Sequence, residues 1–192
     1  MKLPRADLAA VDQLLANLFL TEVDAELLRE LAQPDIADML DLLEPGLASY
    51  VRDTDWTEAA LEELAAEYAR LFLMPDGVSP YAASWMQGEE GAIRARLSDE
   101  ISTLYEVLRL QPTDFGRGNV PADHIGMILA LTAAALQTEV APKGEGLAGR
   151  AAGLIRPWAP QFSERLLEET GNPLYRGAGR LLLFVLEEAP AD

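Results

Sequence analysis

Asp55–Leu73 reads DWTEAALEELAAEYARLFL, and its spacing decides the fold class. Leu61, Leu64, Ala65, Tyr68, Leu71 and Phe72 recur at intervals of three and four, so a helix places them on one apolar stripe. Glu58, Glu62, Glu63 and Arg70 fall largely off that stripe. Asp55 followed by Glu58 resembles a capping box at the start, and Met74-Pro75 stops the pattern. The same periodicity recurs outward in both directions while strict alternation does not, which predicts an all-α protein.

Upstream, the pattern predicts helices near Asp7 to Phe19, Asp24 to Ala32 and Pro34 to Leu43, followed by a break at Pro45-Gly46. Downstream, PDGVSPYAASWMQGEEGAIR (residues 75–94) holds two prolines and three glycines and reads as a long loop. Its Tyr81, Trp85 and Met86 need something to pack on. Ser98 to Leu110 reads as the next helix, with Ser98 as its N-cap. Further helices follow at about Pro121 to Val140, Gly146 to Ile155, Trp158 to Thr170 and Leu174 to Glu188. QPTDFGRGNVP (residues 111–121) carries two prolines and two glycines and marks a hinge at about 111–120. The expected architecture is one compact helical bundle of two closely packed lobes, about 1–112 and 121–192. Such a hinge permits a monomer or a dimer that exchanges lobes.

With 192 residues and 49% hydrophobic content, the chain can bury a sizeable core. It has no cysteine, which excludes disulfides, thiolate metal sites and thiol catalysis. Fifteen basic against 32 acidic residues give a formal charge of −17. That field repels nucleic acid and anionic lipid and attracts basic segments. Eight acids lie between Asp41 and Glu67 against one base, Arg52. The longest uncharged run, Ile125 to Thr138, is too short to span a bilayer, and Asp7 and Asp12 interrupt the N-terminal apolar pattern. A soluble cytoplasmic protein is expected.

That uncharged run opens with the only histidine: Asn119–Leu136 reads NVPADHIGMILALTAAAL. Asp123 and His124 invite a catalytic reading, but helix neighbours diverge by about a quarter-turn or more, so Asp123 is poorly placed to orient the imidazole. Ser84 sits in AASWM without the glycines of a nucleophile elbow. KGEGLAG lacks the strand and Lys-Ser/Thr ending of a phosphate loop. Glu62, Glu63 and Glu67 could in principle hold a cation, although solvated helix surface explains them more simply. A structural reading gives Asn119 or Asp123 the task of capping the helix.

Three blocks carry a resemblance. EYARLFLMPDGVSPYAASW (Glu67–Trp85), VPADHIGMILALTAAAL (Val120–Leu136) and the tail WAPQFSERLLEETGNPLYRGAGRLLLFVLEE are similar to the TorD/DmsD/NarJ family of cytoplasmic chaperones that mature molybdenum-cofactor oxidoreductases. Pro121, Ala122, Asp123 and His124 match the family's Glu-Pro-x-Asp-His motif, with Val120 in place of the glutamate and Ile128 in place of a later one. Pro80, Tyr81, Ala82, Ala83 and Ser84 match its Pro-Tyr-Glu-Ser pattern, without the acid.

The resemblance implies a non-enzymatic TorD-like chaperone without a cofactor of its own. Its partner would be a molybdoenzyme catalytic subunit, bound through an N-terminal segment that is often a twin-arginine signal. It also implies that Asp123, His124, Pro121, Tyr81, Ser84, Trp85 and Phe72 line or adjoin the peptide groove. Asp123 would then accept from an arginine, and Asp123→Ala would weaken binding with little loss of stability. Two alternatives stay open: a NarJ-like assembly factor for a subunit that is never exported, and a nucleotide- or metal-dependent helical enzyme.

Overall fold

The computed structural model describes residues 3–111, 120–138 and 146–188. Ten α-helices run in order through them: α1 (Arg5–Leu20), α2 (Ala25–Leu31), α3 (Pro34–Asp41), α4 (Leu47–Asp53), α5 (Glu58–Phe72), α6 (Glu90–Leu108), α7 (Ile125–Thr138), α8 (Leu147–Ile155), α9 (Ala159–Glu169) and α10 (Pro173–Glu188). A single 3-10 turn, Ala82–Ser84, interrupts the segment between α5 and α6, and no strand occurs among the described residues. The protein is all-α.

The centre is α7. It has no charged residue, and eleven of its fourteen positions, from Ile125 to Leu136, are buried. A helix apolar on every side has to be covered on every side. Its principal covers are α1 and α8, with α6 against it as well. The ends show that α1 and α7 run antiparallel: Arg5 donates to the carbonyls of Leu136 (2.6 Å) and Ala135 (3.3 Å), whereas Leu20 and Ala16 lie against Gly126. Arg5 thereby serves the unpaired carbonyls at the α7 C-terminus. Gly126 lets the helices approach, since a Cβ there would stand 2.6 Å from Leu20 Cγ and 3.0 Å from the Ala16 carbonyl oxygen.

A second focus is aromatic. Phe72 meets Phe19, Tyr68 and Tyr175 edge-on at 5.2–5.8 Å and stacks on Phe162 at 6.4 Å, which joins α1, α5, α9 and α10. One buried cluster runs through residues on both sides of the expected hinge. Of the expected hinge at about 111–120, residues 112–119 lie outside the described residues.

Three elements differ from the sequence reading. The N-cap of α5 is Thr57, whose hydroxyl accepts from Ala60 N–H at 3.3 Å, rather than Asp55. The Pro45-Gly46 break contains the start of α4, because Gly46 takes a left-handed φ of 92° and Asp41 Oδ1 accepts from the N–H groups of Gly46 and Ala48. Finally, α6 begins at Glu90, so Ser98 is an interior helix residue and no cap. Ile93 and Leu97 extend the buried stripe of Ile101 and Leu104 backward by two turns.

Two outcomes test this packing. Gly126→Val drives a branched side chain into the α1 backbone and is expected to cost about 2–3 kcal/mol, read as a lower urea midpoint. Asp12, on α1, is 3% exposed, and burial pushes its carboxyl up to about 7. A raised folded-state value means that the native fold holds the proton more tightly, so Asp12 favours folding fully below about pH 4 and progressively less as pH rises through 7. Asp12→Asn is therefore expected to be more stable than the parent at pH 8, by on the order of 2–4 kcal/mol, with the gap less than half as large at pH 5.

Candidate functional site

The site is built where the N-terminus of α7 meets the loop after α5. Gly77 permits that loop to turn back on its own helix, since a Cβ there would collide with the carbonyls of Arg70 and Leu71. The returning chain then pairs with the segment before α7. Ala82 N–H donates to Asp123 O at 3.0 Å, Ile125 N–H donates to Pro80 O at 2.8 Å, and Tyr81 and His124 form an isolated antiparallel bridge.

His124 is the cap of α7. Its Nδ1 accepts from Gly126 N–H at 3.1 Å while its carbonyl accepts from Met127 and Ile128. The imidazole thus takes the place usually held by Ser or Asp at a helix start, which replaces the expected cap at Asp123; Asn119 lies outside the described residues. A neutral ring that accepts at Nδ1 carries its proton on Nε2. The ring sits 5.2 Å from Tyr81, edge to face.

Asp123 points elsewhere. Its side chain is 2% exposed, and Oδ2 lies 3.4 Å from both Arg94 Nε and Ala83 N–H. Arg94 also pairs with Glu90 at 2.8 Å and lies 5.8 Å from the Tyr81 ring centre as a cation–π contact. Asp123 therefore ties α6 and the Tyr81 loop to the head of α7, and its carboxylate is already engaged by the chain's own arginine. The Ser84 hydroxyl is turned to Ser79, bonding its hydroxyl at 2.6 Å, rather than set as a nucleophile.

Tyr81 and His124 look into a groove of about 810 Å3. One wall is α5, presenting Glu58, Leu61, Glu62 and Ala65. Leu61 and Ala65 belong to the α5 stripe but are only half-buried, so the edge of that stripe which the core leaves uncovered becomes the groove wall. The opposite wall is the α1–α2 link, with Leu20, Glu22, Val23 and Asp24. Tyr68, Leu73 and Val120 complete the lining. Tyr68 is fixed by its hydroxyl, which donates to Phe19 O at 3.0 Å. Among the described residues four carboxylates line this groove and no Lys or Arg does.

The structure brings together only part of the residue set expected from sequence. Tyr81 and His124 line the groove, and Asp123 braces them from behind. Pro121 is exposed, and its carbonyl accepts from His124 N–H at 3.1 Å. Trp85 faces the other way, donating to Ser79 O at 2.7 Å and packing edge-on to Phe162 of α9. Phe72 is enclosed in the aromatic core and presents no groove surface. Glu22, Asp24, Glu58 and Glu62 were missed. Glu58 and Glu62 carried a signal in their i, i+4 spacing on the α5 face bordering Leu61, whereas Glu22 and Asp24 reach the groove only through tertiary packing.

Not every acid of the Asp41–Glu67 cluster is available to a ligand. Asp41 caps α4, Glu44 is clamped by Arg176 (3.1 Å) and Arg180 (3.0 Å), and Glu67 is held below the usual carboxylate range by its bonds to Arg70 and Thr170, against the opposing effect of partial burial. Among the described residues no group of three or more His, Asp or Glu is placed to hold a metal ion, and no helix is long and apolar enough to cross a membrane.

An all-helical chain with an acid-rimmed apolar groove is a binding protein in its chemistry. A family model described as nitrate reductase delta subunit matches residues 24–164. Chaperone protein TorD of Escherichia coli O45:K1 (strain S88 / ExPEC) is 30% identical over 196 residues, covering 94% of this chain and 93% of that protein. Chaperone protein TorD of Salmonella agona (strain SL483) is 32% identical over 197 residues, covering 93% and 87%. The chain belongs to the TorD/NarJ family, and it is a chaperone rather than an enzyme.

The bracing by Asp123 alters what its removal should do. Asp123→Ala leaves Ala83 N–H without its acceptor and Arg94 with Glu90 but without its buried partner, and is expected to cost about 1–3 kcal/mol of stability, against the sequence-based expectation of little loss. The thermal midpoint of Asp123→Ala beside that of Asp123→Asn, which keeps an acceptor oxygen, measures it.

Proposed function

We propose that this chaperone serves the maturation of a redox enzyme by holding the N-terminal segment of a molybdenum-cofactor catalytic subunit in the groove between α5 and the α1–α2 link. The subunit is kept in its apo form until its cofactor is inserted, and premature export or assembly is held back meanwhile. The setting is the cytoplasm. Family membership supports the general role. The observation that carries the peptide reading is the groove lining, in which Glu22, Asp24, Glu58 and Glu62 surround Leu20, Val23, Leu61 and Leu73, with no basic side chain among the described residues.

A segment that combines basic and apolar residues, as a twin-arginine signal does, complements such a lining in both respects. Charge pairing steers and orients it, while burial of its apolar side chains contributes affinity. Tyr81 lines the groove as an aromatic surface for a guanidinium or an aliphatic side chain, and His124 borders the same end. Val120 stands where the family motif has glutamate, which makes the groove more apolar at that end. Ile128 is fully buried in α7, so a glutamate there would carry an unsolvated charge. With both glutamates replaced, the acidic character of the groove rests on α5 and the α1–α2 link.

Calorimetry with the N-terminal peptide of the molybdoenzyme subunit encoded beside this gene tests the reading. Glu58→Gln/Glu62→Gln and Tyr81→Ala are each expected to weaken binding about tenfold, on the order of 1.4 kcal/mol, with the thermal midpoint nearly unchanged. The charge variant should also flatten the salt dependence. Failure of the parent protein to bind either the peptide or the apo-subunit overturns the proposal.

A further inference from the structure

The geometry points to a longer peptide path than the groove beside His124: the trough continues along α1 into an apolar hollow between α1, α2 and α3, which takes the apolar helical part of the same client segment. This rests on the peptide-binding reading above. Three hollows adjoin one another. The groove shares Thr21, Glu22 and Asp24 with a cleft of about 210 Å3, and that cleft shares Leu27 and Glu30 with a third hollow of about 230 Å3.

Chemistry changes in order along this path. The middle cleft is acidic, with Glu22, Asp24, Glu26 and Glu30 beside Asn17. The far hollow is apolar, formed by Val11, Leu14, Leu27, Leu31, Ile36 and Met39, with Glu30 at its edge. Among the described residues no Lys or Arg lines any of the three. Met39 is 38% exposed at the far hollow, and Leu42, just past the end of α3, is 85% exposed. Large apolar side chains left in water beside a hollow mark a surface that something covers.

The dimensions fit a helix. The lining residues on α1 run from Leu20 back to Ala10, ten residues that span about 15 Å at 1.5 Å per residue. A helical segment of about ten residues covers the same distance, laying apolar side chains at i, i+3, i+4 and i+7 into the hollow. The acidic middle sets the register, since a basic residue preceding the apolar helix pairs with Glu26 or Glu30 only when the helix lies over Leu14 and Met39. A second copy of this chain is the competing occupant, and a formal charge of −17 on each copy opposes it.

The test uses the full chain and two synthetic client peptides, one with basic and apolar parts and one truncated after the basic part. Ala10→Glu/Met39→Glu places charge in the far hollow at two exposed positions, so folding is retained. The parent is expected to bind the long peptide at least tenfold more tightly than the short one. The double variant is expected to lose that advantage while binding the short peptide as the parent does. If the double variant binds the long peptide as tightly as the parent while Tyr81→Ala weakens it, the path ends at the α1–α2 link and only this inference falls. If the parent sediments as a dimer that the double variant dissolves, the hollow belongs to a second copy and the inference is likewise overturned. If the parent binds neither peptide, the peptide-binding reading falls with it.

Discussion

A fourteen-residue helix without a charge can persist in water only if other helices cover it, and that requirement on α7 organises the molecule. α1 and α8 lie along it, with Gly126 allowing the closest approach. Both ends of a buried helix also need partners, because its terminal N–H and carbonyl groups have no water to bond. Arg5 reaches across from α1 to close one end, and the His124 ring closes the other. The same ring forms part of the groove. A residue required by the core thus also faces the site, and Asp123 beside it fixes the loop that supplies Tyr81.

The large negative charge divides into two populations by environment. Asp41, Glu44 and Glu67 are spent on helix caps and internal ion pairs. Glu22, Glu58 and Glu62 remain exposed around apolar side chains, and so does Asp24, although its Oδ1 also caps α2; there a cation gains both pairing and partial exclusion of water. Total charge predicts attraction to basic partners in general. The placement of these four acids makes that attraction local.

Helix class and most helix positions were legible because long amphipathic stripes such as Leu61 to Phe72 encode which face is buried. Short elements were not: α4 hides behind Pro45-Gly46, and its start depends on an Asp41 carboxylate several residues away. The first two turns of α6 were hidden by Gly88 and Gly91, which read as loop although Ile93 and Leu97 continue the stripe. At the site, the Asp-His pair was recognisable as a motif, and the argument against a catalytic dyad agrees with the divergent directions of Asp123 and His124. Sequence could not tell that the imidazole caps its own helix or that Arg94 occupies the aspartate. The resemblance placed Phe72 and Trp85 at the groove, yet the core competes for aromatic side chains, and both pack against Phe162.

The antiparallel pairing of α1 with α7 joins the first helix to one that begins more than a hundred residues later. On the ribosome, the part of α1 that packs on α7 leaves the exit tunnel without its cover and stays so until α7 has been made. At about 5–20 residues per second, that interval is roughly 6–24 s. The nascent chain therefore carries an apolar segment that awaits its partner, and its core closes only when the segment carrying His124 has emerged.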